Sequence, residues 1–202
     1  MDVMPLDPES LLSVYAQGAF PMADRDGVVR LYTADPRGVL PLDPPEAFHV
    51  PGTLRQLVRR PPDRGGFEVR VNGDFEGTMR GCMEAREGGT WINDDLVAAY
   101  ARLHEMGFAH SVECWRGGEL AGGLYGVSLG AAFFGESMFH RHRDASKVAL
   151  VHLVERLRAR GFELLDTQAT TGHLRRFGCV EIPARDYMRR LRLAITKDRN
   201  FD

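Results

Sequence analysis

Residues 133–147 read F-F-G-E-S-M-F-H-R-H-R-D-A-S-K, an apolar run that carries one acid and then breaks into a basic turn. Glu136 stands among aromatic and sulfur-bearing neighbours, and a carboxylate on a mostly buried strand is costly unless it is paired or put to use. It is the first candidate for chemistry, with a satisfied structural acid as the alternative. Just beyond it, Arg141, Arg143 and Lys147 flank a helix start expected at Asp144-Ala145-Ser146, where backbone N–H groups and basic side chains together suit an anion. A solvated basic loop would have the same composition. The adjacency of acid and basic turn favours a site over two unrelated surface features.

The elements around this stretch follow from spacing. Asp7-Pro8-Glu9 begins a short amphipathic helix that stops at Gly18, and brief apolar pieces at 28–32 and 39–42 interrupt a region rich in Pro, Asp and Gly. A small N-terminal subdomain over residues 1–42 is expected, followed by a larger domain over 43–202. In the latter, a helix at 52–60 carries Arg55 and Arg59 along one side, a strand is expected at 67–71 and a helix at 74–85. A loop through Glu87, Gly88, Gly89, Thr90 and Trp91 leads to the clearest helix, capped by Asn93 and ended by Gly107. Three strands then form a meander at 108–115, 120–127 and 131–139, before a long helix over 145–160, a strand at 163–167, a helix at 171–177 and a basic tail. Meander, crossover helix and further strand make an α+β, three-layer pattern with a mixed sheet.

Composition bounds the function. The chain has 202 residues, 44% hydrophobic and 27% charged, with a net charge of −2, which argues against wholesale coating of nucleic acid but not against a local basic face. Its N-terminal stretch has neither a basic region nor an apolar run, and no window reaches the length of a membrane span. Cys82, Cys114 and Cys179 are far apart and form no Cys-x-x-Cys pair, so neither a disulfide framework nor a zinc site is expected, and the reducing cytoplasm is the expected compartment.

Several pieces then recur in a known order: G-T-W-I at 89–92, A-Y-x-R-L-H at 99–104, A-H-S-V-E at 109–113, G-G-L-Y-G at 122–126, G-E-S-M-F-x-R at 135–141, A-S-K at 145–147, L-D-T-Q at 165–168 and G-C-V-E-I-P-x-R-D-Y at 178–187, with G-A-F-P at 18–21 and D-P-R at 35–37 upstream. The ordered set resembles the leucyl/phenylalanyl-tRNA–protein transferase family. The resemblance implies a GNAT-like catalytic domain with a mostly antiparallel sheet, no metal and no dissociable cofactor. It also implies transfer of leucine or phenylalanine, less often methionine, from aminoacyl-tRNA to proteins beginning with Arg or Lys, marking them for N-degron proteolysis; a cytoplasmic monomer is expected. In the family the acid and amide of L-D-T-Q serve the attacking amine. Here they are Asp166 and Gln168, two apart on a strand and so expected on one face, with Glu136 positioning the acceptor's amino end and Thr171 contacting the acceptor where the family often has Asn. Leu124, Phe133, Met138, Leu150, Leu153 and Leu165 match positions that line the family's aminoacyl pocket, although periodicity alone reads each as core.

Trp91, Arg141, Arg143, Lys147, Arg55 and Arg59 are the expected tRNA contacts, Trp91 by stacking on the terminal adenosine and the basic residues through the backbone. The sequence departs from the family pattern at Met22, where Trp usually follows Phe-Pro, and at Tyr32-Thr33, which replaces a Trp-Ser pair. Two other readings stand beside this one: an acetyl-CoA-dependent GNAT N-acetyltransferase, and a non-catalytic module that binds tRNA ends. The sequence R-H-R-D-A-S-K lacks the Gly-rich pyrophosphate loop of the former. Asp166 and Gln168 would be dispensable in the latter.

Overall fold

The structure is a computed structural model that describes residues 5–85 and 89–202; Glu87 and Gly88 of the expected loop lie outside the described residues. Helix α1 (Pro8–Ala16) begins where Asp7 accepts the Ser10 N–H at 2.9 Å and Pro8 occupies a first-turn position whose N–H would have no partner. Its inner side buries Leu11, Val14 and Tyr15. Strands β1 (Phe20–Ala23) and β2 (Val29–Tyr32) pair antiparallel in a sheet of their own. β1 escapes a sequence reading because it is four residues long and contains Pro21.

A larger sheet contains β3 (Arg37–Leu40), β4 (Glu68–Val71), β5 (Ala109–Arg116), β6 (Glu119–Leu129), β7 (Ala132–His140), β8 (Leu164–Gln168) and β9 (Val180–Ile182), in the order β4-β5-β6-β7-β8-β3-β9. Neighbours run antiparallel except β7 and β8. A parallel pair needs a crossover of a dozen or more residues, and α5 (Ala145–Ala159) supplies it. The β5–β6 hairpin turns through Gly117 and Gly118 at φ 60 and 83, the left-handed pair that a tight hairpin demands. β3 comes from the stretch expected to form the N-terminal subdomain, yet it is hydrogen-bonded between β8 and β9.

Helices cover both faces of this sheet. α3 (Phe75–Glu84) and α4 (Asp94–Glu105) pack with α1 on one side, around Tyr15, Tyr100, Tyr125 and Phe134. α5 and α2 (Gly52–Val58) lie on the other, around Leu124, Phe133, Leu150 and Leu153. Full burial of one such side chain stabilises by about 1.5–3 kcal/mol, so two continuous cores hold the sheet rigid beneath whatever it carries. Past α6 (Gly172–Arg175), the expected basic tail is an ordered helix, α7 (Ala184–Ala194), which buries Tyr187, Leu191 and Ala194 at helical spacing and turns its arginines outward. The architecture is the expected α+β sandwich. No described helix is long and apolar enough to cross a membrane.

Candidate active site

β7 and β8 pair only from Ala132↔Leu164 to Phe134↔Asp166 and then part. Bulges on both strands accompany the parting. Along β6 and β7 the register slips so that Tyr125 faces Ser137 and Gly126 faces Gly135, leaving Glu136 as the extra residue. Along β3 and β8, Gly38 faces Gln168 while Val39 faces Asp166, leaving Thr167 extra. A bulge bends its strand and re-aims side chains, and between these two lies a cavity of about 650 Å³. Leu124, Met138, Leu150, Leu153 and Leu165 give it an apolar lobe, Glu136 and Gln168 a polar wall, and Phe20, Met22 and Trp91 a side contributed by β1 and the loop before α4. The Ala23 N–H donates to the Trp91 carbonyl at 2.9 Å, tying that loop to β1.

Five of the six expected pocket residues therefore line the cavity. Phe133 does not. It precedes the bulge, in the paired part of β7, where its ring is fully buried and stacks on Phe201 at a centroid distance of 5.2 Å.

Glu136 is the one carboxylate on the cavity wall among the described residues. Burial pushes its pKa up to about 8; hydrogen bonds from Tyr15 and Tyr100 and the charge of Arg37 oppose that rise, while the Asp166 carboxylate adds to it. The two phenols also hydrogen-bond to each other, at the junction of α1 and α4. Gln168 extends its side-chain amide towards Glu136, Nε2 to Oε1 3.4 Å.

Asp166 faces the other way. Its carboxylate receives the Arg37 guanidinium in two bonds, Nε to Oδ1 2.9 Å and Nη2 to Oδ2 2.6 Å, with the two side chains only 1% and 0% exposed. The Tyr187 hydroxyl donates to Oδ2 at 2.7 Å, and the Gln168 backbone N–H donates to Oδ1 at 2.8 Å. Arg37 also donates to the Gly18 carbonyl at 2.9 Å. Burial works against the Arg37 charge, but its bonds to Asp166 outweigh that and hold its pKa above the ordinary arginine value. The expectation that Asp166 and Gln168 share a face fails because strand alternation stops at the bulge: Gln168 adopts φ 56, a left-handed conformation that turns its side chain onto the cavity while Asp166 stays beneath. Asp166 holds that unusual backbone by accepting the Gln168 N–H. Its oxygens are thus bonded within the protein, to Arg37, Tyr187 and the Gln168 backbone.

The chain matches the family model for leucyl/phenylalanyl-tRNA protein transferase over residues 41–192, and the model for that family's N-terminal domain over residues 4–35. The chain belongs to this family. A leucyl/phenylalanyl-tRNA–protein transferase of Maricaulis maris is 52% identical over 197 residues, covering 96% of this chain and 88% of the relative. Proteins of the same name from Rubrobacter xylanophilus and Phenylobacterium zucineum are 53% and 54% identical, covering 98% and 96% of this chain and 100% and 87% of the relatives. The two family segments meet at this cavity: Tyr15, Phe20 and Met22 belong to the first, Glu136 and Gln168 to the second.

As a leucyl/phenylalanyl-tRNA protein transferase family member, the chain carries its expected tRNA contacts in different settings. Trp91 lines the cavity; Thr171, expected at the acceptor instead, lines it too, and its hydroxyl caps α6 by accepting the Leu174 N–H at 3.2 Å. Tyr32 does not line it; its hydroxyl donates to Asp24 and its ring stacks with Phe20 at 6.4 Å. Arg141 turns to Glu84, Nη2 to Oε2 3.1 Å, whereas Lys147 donates to Asp144 beside the α5 start and Arg143 is almost fully exposed. Arg55 donates to the Val50 carbonyl at 3.2 Å, and Arg59 follows α2 on the surface. Sequence reasoning missed Tyr15, Tyr100, Arg37 and Tyr187 as parts of the site. The signal was present for two of them, since Arg37 and Tyr187 end the motifs D-P-R and R-D-Y and a buried acid such as Asp166 requires a cation.

Proposed function

We propose that this protein transfers leucine or phenylalanine, and less readily methionine, from aminoacyl-tRNA to proteins with N-terminal Arg or Lys, marking them for N-degron proteolysis in the cytoplasm. The observation that supports this best is the polar pair Glu136 and Gln168 facing an apolar-lined cavity of about 650 Å³. The apolar lobe takes the side chain being transferred. One methylene is worth only about 1–3 kcal/mol in such a lobe, which accounts for tolerance among leucine, phenylalanine and methionine. Trp91 offers a flat face to the terminal adenosine.

The reaction forms a C–N bond between the acceptor's α-amine and the aminoacyl carbonyl and breaks the ester C–O bond to the ribose. The amine must shed a proton, and the departing ribose oxygen must gain one. An α-amine has a pKa of about 7.7–8.0, close to the value of about 8 at Glu136, so the amine's proton can pass to the Glu136 carboxylate at little cost and go on to the departing ribose oxygen, which restores the carboxylate. Gln168, held by Asp166 from beneath, orients the amine. The assay is to incubate the protein with a peptide beginning with Arg and with either leucyl-tRNA or acetyl-CoA, and to weigh the product. A leucine adduct from leucyl-tRNA alone is expected; acetylation, or no adduct from either donor, overturns the reading.

A further inference from the structure

Three elements that line the cavity each carry a basic residue one structural step beyond the lining. On β7, Met138 lines the cavity and His140 is the next residue on the same strand face. On α5, Leu150 lines it and Lys147 lies three residues earlier, one turn nearer the helix start. On α6, His173 lines it and Arg176 follows at the helix end. All three act electrostatically on the His173 ring, which lines the cavity between them; burial is the first cause that lowers its pKa, and the charges of Lys147, Arg176 and His140 lower it further. Asp144 acts on that ring in the opposite sense, and it is already engaged with Lys147 and, at 3.5 Å, with Arg143. Among the described residues the Arg176 guanidinium has no ion-pair partner, so the two permanent cations of the group, Lys147 and Arg176, share the single carboxylate of Asp144, which also meets Arg143.

We infer that Lys147 and Arg176, with His140 beside them, form a rim that holds the phosphodiester next to the aminoacylated terminal nucleotide. The inference rests on the proposed function and goes further by separating the expected basic contacts: Lys147 belongs to the rim with His140 beside it, Arg141 is turned to Glu84, and Arg176 enters from α6, which no basic motif marked. Charge decides against the other substrate. An acceptor beginning with Arg or Lys brings a cation and is repelled here, whereas a phosphodiester brings the anion that the guanidinium fork can grip.

The test uses two donors with the full-length protein: leucyl-adenosine, which has no phosphate, and leucyl-tRNA. Arg176→Gln removes the charge from an exposed side chain, so the fold stays intact. It should lower kcat/KM for leucyl-tRNA by about tenfold, in line with a charged hydrogen bond, leave leucyl-adenosine unchanged, and reduce the salt dependence of leucyl-tRNA binding by about one unit of slope. Lys147→Gln should act in the same direction. Equal loss with both donors, or no loss with either, overturns the rim. If the wild-type protein transfers from neither donor, the functional reading fails instead; binding of a short single-stranded RNA then reads the rim by itself, weaker in Arg176→Gln if it is right and unchanged if it is wrong.

Discussion

Asp166 and Glu136 are two neighbouring acids in different settings, and the difference lies in what each can still bond. Asp166 has its oxygens filled by Arg37, Tyr187 and the Gln168 backbone. Asp166→Asn leaves the Arg37 charge buried without its counter-ion, a change that costs about 3–5 kcal/mol when a buried pair loses one member. Thermal melting should show a fall of about 10 °C or more, with activity lost alongside stability; an Asn variant as stable as the parent would mean that the pair is not what holds Gln168. Glu136 keeps an open side, and Glu136→Gln should leave melting near neutral pH little changed while cutting single-turnover transfer by about 10²-fold or more. The pH dependence has a definite sign. Because the folded-state pKa is raised from 4.5 to about 8, the folded protein holds a proton that the unfolded chain has lost across that window, so the Glu136 contribution to stability declines as pH rises through it. Denaturant titrations from pH 5 to 9 should show that decline flattened in Glu136→Gln. Trp91→Ala, which removes a stacking face worth about 1–3 kcal/mol, should raise KM for aminoacyl-tRNA and leave KM for the acceptor peptide unchanged.

At the scale of elements, the bulges explain which parts of the site could be read from sequence. Helix caps at Asp7 and Asn93, the glycine turns and the long helix after residue 144 are local signals, and the structure places them within a residue or two of expectation. The apolar pocket was legible through motif positions, all but Phe133. A register slip, by contrast, is set by what the partner strand offers, so alternation along β8 predicted the wrong face for Asp166 and nothing local announced the left-handed Gln168. α7 was obscured for another reason, since four arginines among eleven residues hide three buried side chains spaced as a helix requires. Gly38 makes the β8 bulge possible: a Cβ there would lie 2.6 Å from the Ala169 carbonyl carbon, a backbone atom that cannot move aside without shifting Gln168. Gly38→Ala should destabilise the protein by about 1–3 kcal/mol and lower turnover by more than its effect on melting accounts for, which parallel measurement of both would show.

Over the whole molecule, the N-terminal segment helps to build the cavity wall, because α1 sets Tyr15 against Tyr100 and Glu136 while β1 brings Phe20 and Met22 to the cavity. Tyr15→Phe should therefore change the pH profile of transfer more than its KM for either substrate, since it removes a donor to Glu136 without opening the cavity. The parting of β7 and β8 also has a consequence for the exchange of backbone hydrogens with solvent. Where the strands are paired, the amides of 132–134 are locked inside the sheet, while beyond residue 134 the side of β7 turned to the gap has no strand beside it. In deuterated water, the amides of 135–138 that point into the gap should label sooner than those bonded to β6, and a non-hydrolysable aminoacyl-nucleoside filling the gap should slow that labelling there and almost nowhere else. The sheet would then carry its own isotopic record of occupancy, written at the one place where two parallel strands let go of each other.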